Sequence, residues 1–284
     1  MKMRLGEILL AGVLSAVLAS TCMARGTVEA DNSLINGEAG GQAGQPREWD
    51  VKLGAGLMVG PRYEGSDEYV ASPIPYFNVA WRDIVSLGLG GLDVNVLRGS
   101  NYRLGGGLTY NPGRTEKGNS FFGTDLYGTD DNLRGLGDID AALGIRAFGS
   151  YMLGPVSFRA SITKYTGDQN DGLLLNLGLS LPFHPMNRLT LAPAVNVTWA
   201  DDNYMQTFFG VTALQSARSG LPIFDAGAGI KDVTAGLNAT YTLDQHWFLL
   251  TNAGVKLLLN DAGDSPITRE STSAVFSTIV GYHF

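Results

Sequence analysis

Residues 273–284 read SAVFSTIVGYHF and decide the fold. In a β-strand, successive side chains point to opposite faces, so this stretch separates into two sets. The first set is Ala274, Phe276, Thr278, Val280, Tyr282 and Phe284, and the second is Ser273, Val275, Ser277, Ile279, Gly281 and His283. An almost wholly apolar and aromatic first face is typical of a strand that faces lipid. The pattern therefore predicts the last strand of a transmembrane antiparallel β-barrel.

Aromatic residues also punctuate the end of this strand. Phe276, Tyr282 and Phe284 resemble the C-terminal signal by which bacterial outer-membrane proteins are passed to the barrel-assembly machinery. The resemblance implies that the assembly machinery is a partner, and that the protein resides in the outer membrane of a Gram-negative bacterium.

The other end of the chain has the features of an export signal. Lys2 and Arg4 precede an apolar run over residues 8–19, and small residues lead to an expected cleavage after Ala24. A lipoprotein signal ending at Cys22 is the alternative, although Ala19 stands where leucine is expected. We expect residues 1–24 to be a signal peptide, residues 25–47 a disordered periplasmic tail and residues 48–284 the barrel.

Composition excludes several classes of protein. The net charge is −7, and loss of the leader, with two cations and one anion, makes it −8. An acidic chain without a basic stripe is not expected to bind nucleic acid. Cys22 is the only cysteine, so the mature chain needs no disulfide. Beyond the leader no apolar run reaches the roughly 18 to 20 residues of a membrane helix, so strands must cross the membrane.

Alternating segments continue through the chain, joined in turn by short and long loops. Such segments of about ten residues are typical of membrane barrels. The pattern yields eleven strands, whereas a barrel with both ends on one side needs an even number. The discrepancy lies before Tyr102: either the ambiguous residues 84–97 hold two short strands, or the second strand, residues 73–82, is misread. We predict twelve strands, with ten as the alternative, and an aromatic girdle near each membrane surface.

Several short motifs follow one another in a fixed order. They are PRYEGSD (61–67), PIPY (73–76), LRGLGDID (133–140), FFGV (208–211), SGLP (219–222), AGAGIKDV (226–233) and DSP (264–266). Together they resemble the MipA/OmpV family of outer-membrane proteins, also called MltA-interacting proteins. The resemblance implies a barrel without enzymatic activity. One member of the family is a scaffold for a lytic transglycosylase and a bifunctional murein synthase of the penicillin-binding class, and others are described as antigens, adhesins or solute channels.

The motif residues lie mainly on loops predicted to be outside the cell. The structural interpretation is that the glycines adopt positive φ and that Asp and Ser close turns; the alternative is a binding site. The candidate residues are Tyr63, Gly65, Ser66, Asp67, Gly135, Gly137, Asp138, Gly210, Ser219, Gly220, Gly227, Lys231, Asp232, Asp264, Ser265 and Pro266.

A second set of candidates is charged and predicted to face the lumen. Buried charges persist when they are paired, so these residues fit an ion-pair network that fills the barrel. A polar permeation path with a net basic lining is the alternative. The residues are Lys52, Arg103, Asp140, Arg146, Arg159, Asp232 and Lys256.

Catalytic chemistry finds little support in the sequence. His184, His246 and His283 are all predicted at the periplasmic end, whereas Ser265 is predicted about 25 Å away across the apolar band. A nucleophile and its base must lie within hydrogen-bonding distance. We therefore expect no enzyme, and neither a metal nor a cofactor. The acidic outer loops are expected to be solvated or to face lipopolysaccharide through divalent cations.

The family resemblance implies a scaffold for peptidoglycan-remodelling enzymes, in a barrel that the pattern predicts to be embedded in outer-membrane lipid and lipopolysaccharide. Its partners would contact the periplasmic turns and residues 25–47. A small-solute channel and a surface adhesin or antigen remain the alternatives.

Overall fold

A computed structural model describes residues 48–116, 131–167 and 170–284. Residues 1–47, predicted as a signal peptide and a periplasmic tail, lie outside the described residues, as do residues 117–130 and 168–169. In the described part, antiparallel strands form one closed sheet in which β13 pairs with β1. The strands are β1 (Trp49–Pro61), β2 (Tyr69–Trp81), β3 (Val85–Gly88), β4 (Gly91–Arg98), β5 (Tyr102–Asn111), β6 (Ala142–Leu153), β7 (Val156–Thr166), β8 (Gly172–Ser180), β9 (Phe183–Met186), β10 (Leu189–Ala200), β11 (Gly229–Thr242), β12 (Trp247–Leu258) and β13 (Thr272–His283).

The barrel has twelve strand positions, as predicted. Thirteen strands fill them because β8 and β9 both pair with β10 and lie end to end along it. The ambiguous stretch, residues 84–97, contains two short strands, β3 and β4, which pair from Val85↔Val94 to Gly88↔Gly91. The alternative of ten strands is therefore wrong.

The last strand alternates as its sequence predicts. Phe276 and Val280 are 46% and 47% exposed on the outer surface, whereas Ser277 and Ile279 are 2% and 0% exposed on the inner one. Apolar side chains cover the outside of other strands as well, including Leu57, Leu108 and Ile145. An apolar exterior around a polar lumen is the arrangement that a bilayer requires. No helix in the described part of the chain has the length and apolar character to span a membrane.

The two ends of the barrel differ. At one end, here called the turn end, strands are joined by short turns such as Gly154-Pro155. Aromatic residues pair across neighbouring strands there, as Trp49↔Trp81, Tyr102↔Tyr151 and Trp247↔Tyr282. At the opposite end, the loop end, the connections are mostly longer and carry the family-like motifs.

Three local features interrupt the regular succession of strands and turns. The loop after β10 contains two helices, α1 (Asp202–Phe209) and α2 (Ala213–Ser219), and the loop after β12 contains α3 (Asn260–Asp264). Residues 183–186 form the short strand β9. Strand β6 begins at Ala142, and Ile139 before it pairs with Arg114 in an isolated bridge.

Candidate functional site: the loop plug and the lumen

Loop residues fold back into the loop end of the barrel. We call residues 62–68, 131–141, 201–228 and 259–271 the loop plug. The plug buries two hydrophobic clusters. One cluster comprises Ala142, Tyr165, Leu174, Ala200, Tyr204, Met205, Phe209, Ala226, Leu258 and Ala262, and the other Tyr63, Leu133, Leu136, Val211 and Ile267. The plug is thus a packed core held by residues from four connections.

Helix α1 starts where the sequence provides a cap. The Asp201 carboxylate accepts a hydrogen bond from the Tyr204 backbone N–H at 2.9 Å, which satisfies one free donor of the first turn. The helix then buries Tyr204, Met205 and Phe209 almost completely. Its C-terminal residue Phe209 also accepts a 2.6 Å hydrogen bond, through its carbonyl, from the Ser265 hydroxyl. Helix α1 therefore links the loop after β10 to the loop after β12.

Helix α2 is bounded by two local signals. Thr212 and Gln215 form a capping box at its start, and Gly220 ends it in the left-handed conformation with φ of 79°. The Gln215 side-chain amide donates to the Leu136 carbonyl at 2.8 Å. This contact ties α2 to residues 131–141 of the plug.

Four buried charges lie beneath the plug. Lys231 and Lys256 both donate from Nζ to Glu64 Oε1, at 2.6 and 2.8 Å. Asp232 Oδ2 lies 3.0 Å from Lys231 Nζ and 4.0 Å from Lys256 Nζ. We call these residues the ionic quartet. Two cations and two anions make it formally neutral, which is the condition under which buried charges are tolerated.

A β-bulge brings two neighbouring residues of the quartet into the lumen. Strict alternation would send Lys231 to the lipid side, opposite to Asp232. The pairing of β10 with β11 shifts between Thr198 and Trp199, where Asp232 and Ile230 are the partners and Lys231 is skipped. As a result Lys231 and Asp232 are only 2% and 0% exposed, while Ile230 faces outward. Bulges of this kind change the direction of a side chain.

Glu64 belongs to a loop, and its ionisation depends on the quartet. Burial alone raises the pKa of its carboxyl, because a low-dielectric environment disfavours charge. The ammonium groups of Lys231 and Lys256 outweigh that effect through charge and hydrogen bonding, and the pKa is lowered to about 2. Glu64 is therefore ionised at neutral pH.

Arg114 crosses from the end of β5 to α1. Its guanidinium donates to the Phe208 carbonyl at 2.7 Å. Burial lowers the pKa of Arg114 to about 10, despite the opposing effects of Tyr63 and Tyr204. The side chain therefore remains charged at neutral pH and cross-links two loops.

Most family-motif residues come together in the plug. The Tyr63 hydroxyl donates to the Ile267 carbonyl at 3.0 Å, and Gly135 and Gly137 donate from their backbone N–H groups to the Glu116 carboxylate at 2.9 and 3.1 Å. Other motif residues take part in hydrogen bonds of the plug: Glu116 N–H donates to the Asp138 carboxylate, Gly210 N–H donates to the Gln206 carbonyl, the Ser219 hydroxyl donates to the Gln215 carbonyl, Gly227 N–H donates to the Asp261 carboxylate, and Ile267 N–H donates to the Ser265 hydroxyl oxygen. Ser66 is fully buried and Pro266 is partly buried. Asp67 and Asp264 are exposed.

Two motif glycines have conformations and surroundings that other residues would not tolerate. Gly65 has φ of 95° and packs against Thr268, and Gly135 has φ of 87° and packs against the backbone of Arg218 and Ser219. These positions support the structural interpretation of the motif glycines as loop-packing residues.

The predicted lumen charges have different environments. Arg146 donates from one guanidinium nitrogen, Nη2, to both carboxylate oxygens of Asp93 at 2.6 and 2.7 Å, and Lys52 Nζ lies 3.3 Å from Asp50 Oδ1. Lys256 and Asp232 belong to the ionic quartet. Arg103 and Arg159 pair with Ser150 from the two neighbouring strands. They lie in the half of the barrel next to the turn end, here called the turn half, and the opposite half is called the loop half.

Asp140 lies outside the strands, two residues before β6 begins. It is exposed, and its carbonyl accepts a hydrogen bond from the Asn170 side chain at 3.0 Å. The lumen position predicted for Asp140 stays a prediction.

Sequence reasoning missed three carboxylates that organise the site. Glu64 lies within a motif that was recognised, but its long-range partners are 167 and 192 residues away. Glu116 lies at the edge of a polar loop, and Asp93 lies in the ambiguous glycine-rich strand region. The excess of basic residues on the predicted inner faces was the one signal that could have indicated missing carboxylates.

The groups considered for catalysis are widely distributed. His184, His246 and His283 lie at the turn end, and His283 Nε2 is 3.3 Å from Asp50. Ser265 lies in the plug, where its hydroxyl donates to the Phe209 carbonyl. Among residues 48–116, 131–167 and 170–284, no group of three or more His, Cys, Asp or Glu residues could hold a metal ion.

Comparison with known proteins gives a family and a set of relatives. A family profile described as "MltA-interacting protein MipA" matches residues 53–284. The "Putative outer membrane protein YiaT" of Escherichia coli K12 is 32% identical over 129 residues, and the "MltA-interacting protein" of the same strain is 26% identical over 126 residues. Each match covers 44% of this chain and 50% of the relative. The chain thus spans about half the length of the curated relatives it matches.

Solved structures whose backbones align with this chain include a KdgM porin and the translocator domain of the autotransporter NalP from Neisseria meningitidis. The first has a TM-score of 0.40 and 9% identity, and covers 83% of this chain and 99% of the porin. The second has a TM-score of 0.41 and 10% identity, and covers 98% of each chain.

The family match extends from β1 to the last residue, over the closed twelve-position barrel with its apolar exterior. The protein is an outer-membrane β-barrel, and the chain belongs to the MltA-interacting protein MipA family.

Proposed function

We propose that this protein is a non-enzymatic scaffold that holds a peptidoglycan-remodelling enzyme at the inner surface of the outer membrane. The observation that carries this proposal is the loop plug, which fills the loop end with two apolar clusters above a neutral ionic quartet. A barrel end built as a packed core is suited to stability rather than to passage of solutes. One relative is named MltA-interacting protein, which supports a lytic transglycosylase as the partner.

The partner would contact the turn end, which faces the periplasm in this proposal. Exposed charges there are held in fixed positions. Arg98 donates from its guanidinium to the Arg82 carbonyl at 2.8 Å, and Arg82 pairs with Glu48 at 2.9 Å. In the turn before β12, backbone hydrogen bonds from Trp247 and His246 lower the pKa of the Asp244 carboxyl. Ordered, charged turns of this kind can provide orientation and specificity for a partner.

A pull-down from envelope extracts tests the scaffold. The full chain should retain a lytic transglycosylase, and binding should fall when residues 25–47 are deleted or when Arg82→Glu and Arg98→Glu are combined. The matched control is Arg218→Glu, which reverses a charge on α2 at the loop end. Retention of the enzyme by both turn-end variants, or its absence from the wild-type eluate, would contradict the proposal.

A small-solute channel is the second candidate, and the inward position of Arg159 favours it. Arg159 pairs with Ser150 and Gly178 on neighbouring strands and is partly exposed within the turn half of the lumen. Planar bilayer recordings separate the two functions. The scaffold predicts no discrete conductance steps from purified wild-type protein, whereas steps that change when Arg159→Ala is introduced would establish the channel.

A further inference from the structure

Among the residues that the structure describes, the barrel wall has a gap on one side. Strand β2 pairs with β1 along its full length, from Trp49↔Trp81 to Pro61↔Tyr69. On its other side it pairs with β3 only from Asn78 to Trp81. Within the described part of the chain, no strand pairs with residues 69–77 on that side. These nine residues leave an edge about 30 Å long beside the short β3–β4 hairpin.

Prolines keep this edge open. Arg82 N–H donates to the Glu48 carbonyl, which shows that even-numbered N–H groups of β2 point toward β1. Odd-numbered groups therefore point toward β3, and Pro73 and Pro75 occupy two of these positions without a donor. Proline at a sheet edge prevents pairing with a further strand. The edge is thus poorly suited to a second copy of the protein or to a peptide strand.

The gap opens within the apolar band. Leu57, opposite Pro73 on β1, is 55% exposed on the outer surface. Next to the tip of the β3–β4 hairpin, Leu108, which pairs with Leu92 of β4, is 51% exposed. Because leucines face outward on the strands around the gap, the medium that reaches the gap is hydrocarbon.

The inner wall behind the gap is also apolar. Ile74 and Tyr76 face the lumen from the unpaired part of β2. Tyr76 meets Phe248 edge to face at 6.0 Å, and Gly54 and Gly281 lie between these two residues in the register. In the strand register, Ile74 pairs with Gly56, and Gly56 pairs with Ile279 on its other side. Ile279 is fully buried. Two layers of the lumen therefore form a continuous apolar surface next to the gap.

A partly buried ion pair lies where the gap ends, at the tip of the β3–β4 hairpin. The Arg146–Asp93 ion pair lies on the inner side of the β3–β4 hairpin, and the guanidinium also donates to the Gly90 carbonyl at 3.4 Å. This contact stabilises the hairpin tip within the membrane, where an unpaired carbonyl is costly. In the described part of the chain the opening therefore has a polar edge on the side of the turn end and an apolar inner surface.

We propose that the gap is a lateral portal that admits the acyl chain of a membrane lipid to the inner wall formed by Ile74, Tyr76 and Phe248. Hydrocarbon entering between β2 and β5 would cover apolar surface that otherwise faces a polar lumen. The lipid headgroup would remain outside, at the level of the loops. This portal is independent of the proposed scaffold, since it uses neither the turns nor a protein partner.

Photolabelling in vesicles tests the portal. The full chain is reconstituted into phosphatidylethanolamine vesicles that contain a phospholipid with a diazirine in one acyl chain, and adducts are mapped by mass spectrometry. We expect adducts on the inward residues Ile74 and Tyr76 as well as on the outward Leu57. Ile74→Trp, which fills the entrance, should reduce labelling of Tyr76 at least fivefold. The matched variant Ala194→Trp, on the inner face of β10, should leave it unchanged.

The wild-type map alone decides the outcome if a variant fails to fold. Adducts confined to outward-facing residues would overturn the portal. A covalent dimer cross-linked through residues 69–77 would also overturn it, because the edge would then be an interface between two copies.

Discussion

The loop half and the turn half of the lumen are filled by opposite means. In the loop half, side chains from distant loops surround four buried charges, and Glu64 contacts lysines on two different strands. In the turn half, aromatic and aliphatic side chains lie over glycines on neighbouring strands, as Phe248 does over Gly281. The first arrangement depends on complete pairing of charge, whereas the second depends on shape. A single substitution should therefore affect each half in a different way.

Removal of Glu64 is expected to have the largest effect. Glu64→Ala leaves Lys231 and Lys256 buried with one carboxylate between them, and breaking a buried ion pair costs about 3–5 kcal/mol. The loss should be confined to the plug. Amide hydrogen exchange in residues 201–228 and 259–271 should accelerate strongly, while the heat-modifiable gel shift of the folded barrel persists.

The same loop provides the control. Glu68 pairs with Arg62 at 2.9 Å but is 54% exposed. Glu68→Ala should change plug stability by less than about 1 kcal/mol, as is usual for surface ion pairs. Equal effects of the two substitutions would mean that the quartet does not hold the plug.

Acid should reproduce part of this effect. Glu64 has a lowered pKa of about 2 in the folded protein against a usual value of 4.5. Its contribution to stability is complete above about pH 4.5 and is lost as the pH falls through about 2. The effect is smaller than deletion because a protonated carboxyl still accepts hydrogen bonds. Protease resistance of the plug, measured after brief incubation between pH 5 and 2, should decline in wild type and remain constant in Glu64→Gln.

The two halves also differ in how far the sequence predicts them. Period-two alternation identified the final strand and the class of barrel, because alternation depends only on neighbours in the chain and on adjacent strands. The glycines of residues 84–91 obscured β3 and β4, since residues without side chains give no alternation.

The loop half escaped prediction for physical reasons. Lys231 faces the lumen only because of a bulge, and a bulge shifts alternation by one residue. Glu64 and Glu116 bind residues brought close by tertiary folding, and helices α1 and α2 are too short for a clear helical period. Most motif residues lie on loops, whereas Lys231 and Asp232 lie on β11, and the convergence of these residues in one plug required the structure.

Gly281→Ala is expected to perturb the turn half moderately. A Cβ at this position would overlap the Phe248 ring, and overpacking of a well-packed interior costs about 1–3 kcal/mol. The temperature of the heat-modifiable gel shift should fall, with no change in hydrogen exchange of the plug.

A second substitution distinguishes overlap from other causes. Phe248→Leu in the Gly281→Ala background should restore part of the lost stability, because the smaller side chain frees the space. If Phe248→Leu does not restore stability, the destabilisation by Gly281→Ala arises from the backbone of β12 and β13 and not from overlap with the Phe248 ring.

Gly220→Ala is expected to have a small, local effect, and it separates helix capping from charge within the loop half. Gly220 ends α2 with φ of 79°, where an added Cβ meets no neighbouring atom within 4 Å. Alanine in this conformation costs about 1–2 kcal/mol, whereas asparagine tolerates it better. Hydrogen exchange should therefore increase in residues 213–222 for Gly220→Ala and much less for Gly220→Asn, with the segment around Glu64 unaffected. If exchange near Glu64 increases as well, the quartet and α2 unfold as one unit, and the plug is held by cooperative packing rather than by its buried charges.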